Sequence, residues 1–328
     1  MTGDAGRIRV AVVGGGQNCE HDVSLASAAS VADALNRELY DVVAITIGAQ
    51  GEWSVDGDEV GLPHAVGLLQ SCDVVFPAVH GPRGEDGALA ALCEFAGVPY
   101  VGAGVRAGAL AMDKWATKLL ASSLGIATAA ARVIARAERG TVAWVGPVVV
   151  KPVAAGSSRG VTLVRAPDAF DAALAEAFAF DDRVLLEEVV TGREVDVAVL
   201  GDRRGRRWVS PPLEIVTDGV FDYDTKYGGR ARFLVPAPLV DTARKRVEDA
   251  ALRMYDALGC SGVARVDFFL TDDGPVLNEV NTMPGMTSAS QVPKMFAAGG
   301  LCYGDLLTSL ISAAFTDASR SGSPGSGR

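Results

Sequence analysis

The sequence predicts an α/β protein: a parallel α/β unit at the N-terminus, followed by two blocks that mix strands and helices. Three observations carry that reading. The first hundred or so residues alternate short apolar runs with helically spaced apolar positions, the pattern of strand–helix–strand units in a parallel sheet. The middle of the chain carries short strands around a Gly/Ser turn. Near the C-terminus, Thr271-Asp-Asp-Gly274 separates two apolar runs, and Asp-Gly readily takes the positive φ of a tight hairpin turn.

Taken in order, 7–13 reads as a buried strand, Gly14-Gly-Gly16 as a turn, 24–39 as a helix and 40–47 as a second strand. A third strand over 72–79 runs into His80-Gly-Pro-Arg-Gly-Glu-Asp-Gly87. A helix over 88–96 and a short extended run at 98–101 close an N-terminal domain at 1–102. A central domain at 103–192 opens with a helix over 112–124. It continues with a strand over 147–151, a Gly/Ser turn over 154–160, a strand over 160–165, a helix over 168–179 and a strand over 184–190. A C-terminal domain at 193–316 begins with a strand over 194–201. The turn at 202–207 links it to a hairpin partner, and 217–231 forms a Gly/Asp/Tyr-rich loop long enough to suggest function. A helix over 241–258 precedes the hairpin of 263–270 and 275–280. The segment 317–328 reads as a disordered Ser/Gly/Arg tail.

Composition narrows the function classes. At 328 residues with 49% apolar and 21% charged content, the chain has room for two or three domains with real cores. A net charge of −10 disfavours a nucleic-acid or anionic-membrane surface, although it leaves room for a local nucleotide pocket. The five cysteines are scattered, with no Cys-x-x-Cys, so neither a disulfide framework nor a zinc site is indicated and a reducing compartment is expected. Neither a signal-peptide core nor a membrane-length apolar run is visible, which points to a cytoplasmic protein.

Five stretches could carry chemistry. In the C-terminal hairpin, Arg265 and Asp267 are two apart, as are Glu279 and Asn281. Residues two apart on a strand share a face. The face would carry hard oxygen donors suited to Mg²⁺ and phosphate, or it is simply a polar outer surface. Gly14-Gly-Gly-Gln-Asn-Cys-Glu20 fails the dinucleotide fingerprint at Cys19. Glu20 is then either a carboxylate offered at a loop tip or a charge favoured by the helix dipole. Lys151 ends an apolar strand and is followed by Gly156-Ser-Ser-Arg-Gly160, a phosphate-cradling turn or a serine-capped hairpin. Glu187 and Glu188 either receive nucleotide hydroxyls or form a strand-end pair. His80, at the C-terminal end of a strand, sits where α/β sheets place ligands, or serves the fold.

Together these stretches resemble the D-alanine–D-alanine ligases of the ATP-grasp superfamily. The resemblance is carried by Gly15-Gly-Gln-Asn-Cys-Glu-His-Asp-Val-Ser24, His80-Gly-Pro-Arg-Gly-Glu-Asp-Gly87, Met112-Asp-Lys114, Lys151-Pro with Gly156-Ser-Ser158, Phe221-Asp-Tyr-Asp-Thr-Lys-Tyr227, Arg265-Val-Asp267 and Glu279-Val-Asn-Thr-Met-Pro-Gly-Met-Thr-Ser288. It implies an ATP-grasp fold of three domains, the two α+β domains clasping ATP. It also implies a two-step reaction in which ATP phosphorylates one D-alanine and the amine of a second attacks the acyl phosphate. The product is D-alanyl-D-alanine for peptidoglycan synthesis.

On the same resemblance, Asp267, Glu279 and Asn281 would ligate two Mg²⁺ ions, replaceable by Mn²⁺. Lys114, Lys151, Ser158, Glu187, Glu194 and Lys226 would contact ATP, with Glu187 at the adenine and Glu194 at the ribose. Arg265 and the Gly285 N–H would form the oxyanion hole. Glu20 would hold the first ammonium and join Ser157 and Tyr227 in fastening the closed loop. His80 and Ser290 would contact substrate, and a homodimer is the expected assembly. The sequence departs from the family pattern at Asn18, Ala154-Ala155, Arg159 and Gln291. Gln291 leaves the acceptor open, with D-serine as the alternative, whereas Tyr227 favours an amine acceptor over D-lactate. A different carboxylate–amine ligase and a non-catalytic nucleotide-binding regulator are the competing readings. The retained Glu20, Tyr227 and metal-ligand positions weigh against both.

Overall fold

The structure is a computed structural model that describes residues 6–201, 205–216 and 232–321. Lys226 and Tyr227, the rest of the 217–231 loop, part of the 202–207 turn and the last seven residues of the tail fall outside it.

The N-terminal unit is a five-stranded sheet. β1 (Ile8–Gly15) lies between β2 (Tyr40–Ile47) and β5 (Val74–Pro77), both parallel to it, and β3 (Trp53–Val55) and β4 (Asp58–Val60) extend the edge as an antiparallel hairpin. The helices are α1 (His21–Ala34), α2 (Leu62–Gln70) and α3 (Ala88–Ala96). α1 begins three residues earlier and ends five residues earlier than its apolar spacing suggests, at Leu35, whose extended backbone stops the helix. The sequence pattern does not show the β3–β4 hairpin or α2, because three-residue strands carry too little periodicity to read. The run at 98–101 contributes one parallel bridge, Val75 with Tyr100, rather than a strand. β1 is nearly all buried because both faces of the sheet are covered, which explains its unbroken apolar run.

The helix expected over 112–124 is α5 (Lys114–Ser123), and a shorter helix that the residue pattern does not show, α4 (Val105–Met112), precedes it. Asp113 breaks them with extended backbone, ending α4 and capping α5 by accepting a hydrogen bond from Ala116 N. β6 (Ala127–Thr128) then pairs parallel with a strand of the C-terminal sheet. Ala107, Ala111, Ala121 and Ile126 lie in the core of that sheet. The span 103–192 drawn from sequence therefore joins two helices of the C-terminal core to a smaller unit. That unit holds β7 (Ala131–Ala135), β8 (Val148–Pro152), β9 (Thr162–Val164), α6 (Phe170–Ala177) and β10 (Arg183–Glu188), in the antiparallel order β7-β10-β8-β9. It has a core of its own, built from Ile134, Val150, Phe170, Leu174 and Leu186.

The C-terminal sheet runs β14-β13-β11-β15-β16-β6, with β12 on β11. Its strands are β11 (Arg193–Gly201), β12 (Arg207–Val209), β13 (Leu213–Val216), β14 (Arg232–Leu234), β15 (Val263–Thr271) and β16 (Gly274–Asn281). α7 (Asp241–Leu258) spans the expected residues and buries Val247, Ala251, Met254 and Leu258 against one face. The other face meets α8 (Gln291–Ala298), α9 (Tyr303–Ser321) and the N-terminal sheet in one continuous core, in which Val10, Phe76, Leu213, Met286 and Leu306 are buried. α9 runs past residue 317, where the residue pattern suggests that a tail begins. No single described helix is long and apolar enough to cross a membrane.

Candidate active site

The C-terminal hairpin sets the register of the site. Asp267 stands opposite Glu279 and Arg265 opposite Asn281, and a bulge follows at Asp267/Phe268. All four side chains share one face, as their two-residue spacing requires. The face is not an outer surface, since Arg265 and Asp267 are buried. The Arg265 guanidinium forks onto Asp267 with two bonds of 2.7 Å and lies 3.6 Å from Asp196 on β11. Burial works against its charge, yet Asp267, Asp196 and Glu279 hold Arg265 above the ordinary arginine range. It stays a fixed cation.

Above this face lies a cavity of about 430 Å³, lined by Glu20, His80, Ser157, Arg265, Gly285 and Ser290 among others. Its walls come from residues nearly the whole chain apart. Gly14 lets α1 approach β1: a Cβ there would overlap Ala28 and come 3.3 Å from the Ser24 carbonyl oxygen. That brings Glu20, at the N-terminus of α1, to the cavity. Glu20 makes no capping hydrogen bond to its own helix. Its carboxylate is buried, Oε1 accepts from Ser157 Oγ, and Oε2 has no hydrogen-bond partner among the described residues. A buried carboxylate oxygen without a partner is costly unless a ligand satisfies it.

Ser157 reaches Glu20 from the turn between β8 and β9. There Ser157 and Ser158 both take left-handed φ, 50° and 55°. Successive residues of this kind turn their N–H groups to one side and form an anion-binding concavity. The Ser157 hydroxyl thus ties the turn to α1 through Glu20.

His80 is fully enclosed. Its Nδ1 lies 2.7 Å from the Met283 carbonyl and its Nε2 2.8 Å from Ser27 Oγ. The ring therefore bridges α1 and the loop after β16 while one edge lines the cavity. Ser290 sits at the N-terminus of α8, where Oγ accepts from Thr287 N and lies 2.8 Å from Thr287 Oγ1. The same Oγ would be 3.2 Å from a Cβ at Gly285, so a side chain there would crowd it.

Beside the cavity, a smaller space is lined by Lys114, Glu85, Glu279 and Asn281. Lys114 Nζ donates to the Ala155 carbonyl at 2.7 Å and lies 3.3 Å from Glu279. Asp267, Glu279 and Asn281 offer two carboxylates and one amide. Asn281 spends an N–H on Asp267, so its carbonyl oxygen is the donor left for a cation. A hard-oxygen set of this size fits Mg²⁺ when phosphate oxygens and water complete the shell.

A third cluster lies on the smaller β7–β10 unit, the lid. Glu187 is buried and held by Lys118 and Lys151 at 2.7 Å each, and Lys151 also donates to Asn278 at 3.3 Å. Burial alone would raise Glu187, but Lys151 and Lys118 together hold it below the ordinary carboxylate range. Glu188 points the other way, exposed, and accepts from Ala130 N. Ser158 and the half-buried Glu194 line neither cavity.

Sequence reasoning missed three groups of the site: the half-buried Glu85 and the buried Lys118 and Asp196. Glu85 accepts from Gly81 N and from Met283 N, tying the His-Gly-Pro loop to the loop that carries Gly285. Burial, then Glu20, raise it to about 7. Lys118 follows Lys114 by one helical turn, a visible signal. Asp196 interrupts the apolar run of β11, and Gln291, also buried, donates to it at 2.8 Å.

The chain is similar to known proteins along most of its length. The D-ala D-ala ligase C-terminus family matches residues 122–312, and the D-ala D-ala ligase N-terminus family matches residues 9–67 and 59–103. The D-alanine–D-alanine ligase of Mycolicibacterium smegmatis is 41% identical, over 94% of this chain and 96% of its own length. The VanG D-Ala:D-Ser ligase of Enterococcus faecalis superimposes with a TM-score of 0.81 at 35% identity, covering 94% of this chain and all (100%) of that one. The Bacillus anthracis D-alanine–D-alanine ligase complexed with ATP gives 0.79 at 28% identity, covering 96% and 100%.

Proposed function

We infer the reaction from one premise: the chain belongs to the D-alanine–D-alanine ligase family. It is an ATP-dependent ligase that joins two D-alanines into D-alanyl-D-alanine, a peptidoglycan precursor. The observation that carries this reading is the single cavity that gathers Glu20, Arg265, Gly285 and Ser290 beside Lys114, Glu279 and Asn281. An anionic acceptor for an ammonium, cationic and N–H donors for a developing oxyanion, and a phosphate and cation site are thereby contiguous.

In this reading Glu20 Oε2, without a hydrogen-bond partner among the described residues, holds the ammonium of the first D-alanine. Its carboxylate then faces Arg265 and the small lysine-lined space. The turn at Ser157–Ser158, with Lys114 and Lys151, cradles the ATP phosphates, while Glu187 meets the adenine and Glu194 the ribose. Mg²⁺ held by Asp267, Glu279 and Asn281 would neutralise charge on the transferring phosphoryl group. The carboxylate attacks the γ-phosphorus, giving an acyl phosphate and ADP. The second D-alanine, its carboxylate gripped at Ser290, attacks the carbonyl with its neutral amine. Arg265 and the Gly285 N–H bind the oxyanion that forms, and phosphate leaves. Preorganised donors of this kind contribute about 3 kcal/mol each.

β13 and β14 pair as far as Val216 with Arg232, the two ends of 217–231, and Phe233 lines the cavity. A loop anchored there supports roles for Lys226 at the γ-phosphate and for Tyr227 beside Glu20 and Ser157. Closure would protect the acyl phosphate from water. His80 acts on substrate through Ser27 and Met283. A homodimeric, cytoplasmic enzyme is the form the family resemblance implies.

A second reading, with D-serine as acceptor, draws on Gln291, whose polar side chain lines the cavity beside Ser290. The test of both is phosphate release from ATP and Mg²⁺ with D-alanine, L-alanine, or D-alanine plus D-serine, with the product identified by mass. D-alanine-dependent release yielding the Ala–Ala dipeptide is expected. Release only when D-serine is present would select the second reading.

A further inference from the structure

The Lys118–Glu187–Lys151 cluster contains one group that the reaction as described does not use. Lys151 has two protein partners, Glu187 and Asn278, and lies on β8 directly before the phosphate turn. Lys118 comes from elsewhere. It stands one turn after Lys114 on α5, a helix packed in the C-terminal core, and reaches across to the lid. Its ammonium is almost fully enclosed, 2.7 Å from Glu187 Oε1 and donating to the Ala129 carbonyl at 3.1 Å. Burying an ammonium is costly, and burial pulls Lys118 below the ordinary lysine range while Glu187 opposes that pull. α5 therefore sends one lysine toward the phosphate turn and a second to the carboxylate.

A purine distinguishes itself at position 6. Adenine presents an N–H donor there, and a 6-oxo purine presents an acceptor. An ionised carboxylate only accepts, so it takes the amino group and repels the oxo group; protonated, it could donate and would admit both. When Lys151 turns to a phosphate, Glu187 retains one dedicated counter-charge, and that charge is Lys118. We propose that Lys118 is a positioning residue for the nucleotide base, holding Glu187 ionised and aimed so that the cleft selects a 6-amino over a 6-oxo purine. This rests on the reading of Glu187 as the adenine contact.

The test uses the full chain and compares ATP with ITP in steady-state phosphate release. The variants are Lys118→Met, Lys118→Arg, Glu187→Gln and the double variant Lys118→Met/Glu187→Gln. For Lys118→Met, the KM for ATP rises about tenfold, as for loss of a charge-assisted contact. kcat changes little, which marks a lost binding interaction, and the ATP-over-ITP preference falls about tenfold. Lys118→Arg restores most of that preference. In the Glu187→Gln background, Lys118→Met adds no further loss of selectivity, because Lys118 acts only through Glu187. If Lys118→Met does not fold, Lys118→Gln makes the same comparison. A raised KM with an unchanged ATP-over-ITP preference would overturn the proposal, since Lys118 would then merely pin the lid at Ala129. An unchanged preference in Glu187→Gln alone would overturn the base assignment itself, and the role of Lys118 with it.

Discussion

Gly156→Ala isolates the first-substrate carboxylate without touching its charge. Gly156 has ordinary negative-φ space, so alanine costs nothing there in backbone strain. A Cβ at this position, however, would overlap Glu20 Oε2 and stand 2.7 Å from Glu20 Cδ. Carbon atoms pack best at about 3.5–4.0 Å, so the carboxylate must retreat by roughly 1 Å. Oε2 has no hydrogen-bond partner among the described residues, and in the proposed reading it takes the incoming ammonium. A charge-assisted hydrogen bond contributes about 1.5–3 kcal/mol, which corresponds to a loss of about 10- to 150-fold in first-site affinity. Misplacement by about 1 Å would lower kcat by up to ~10²-fold as well. The assay is phosphate release across D-alanine concentrations, with urea melts alongside to show that the fold survives. A folded Gly156→Ala protein with unchanged first-site affinity would refute the assignment of Glu20.

Three further outcomes follow from the same geometry. Gln291→Leu removes the amide held by Asp196 and leaves a polar wall apolar, so the ratio of D-serine to D-alanine use as acceptor should fall severalfold; product mass analysis with both acceptors present reads it directly. Glu85, raised to about 7 in the folded chain, binds a proton more tightly folded than unfolded. Its stabilisation is therefore complete below about pH 4.5 and is lost as pH rises through about 7, by at most ~3 kcal/mol. Urea melts of the nucleotide-free protein should show that fall between pH 5 and pH 8, and Glu85→Gln should flatten it. Tyr227→Phe should raise D-lactate use relative to D-alanine at neutral pH, and an unchanged ratio would remove Tyr227 from acceptor selection.

The hairpin at 263–281 is legible in the amino-acid pattern, because a period of two and an Asp-Gly turn leave little freedom in register. β2, α3 and α7 are legible for the same kind of reason, each a clean local period. α4 shows where such reading stops: its eight residues lie before the helix read over 112–124 and end at the extended backbone of Asp113, and no apolar pattern announces them. The short β3–β4 hairpin escapes notice because its pairing partner, β2, supplies most of what stabilises it.

The α/β class, the resemblance to D-alanine–D-alanine ligases and the chemical types gathered on each motif are all written in the amino-acid order. Local periodicity and side-chain chemistry are properties of neighbouring residues, so the chain alone displays them. Which of those types are buried, paired or left open is a matter of tertiary packing. Glu20 could have been a helix-end charge and became a buried carboxylate bonded to Ser157, because the Ser157 turn folds onto it. Glu187 could have been a surface pair and became a carboxylate between two lysines, one of them borrowed from a helix of another core. Burial and partnership depend on residues far away in the chain, and they set both the charge state and the direction of each group.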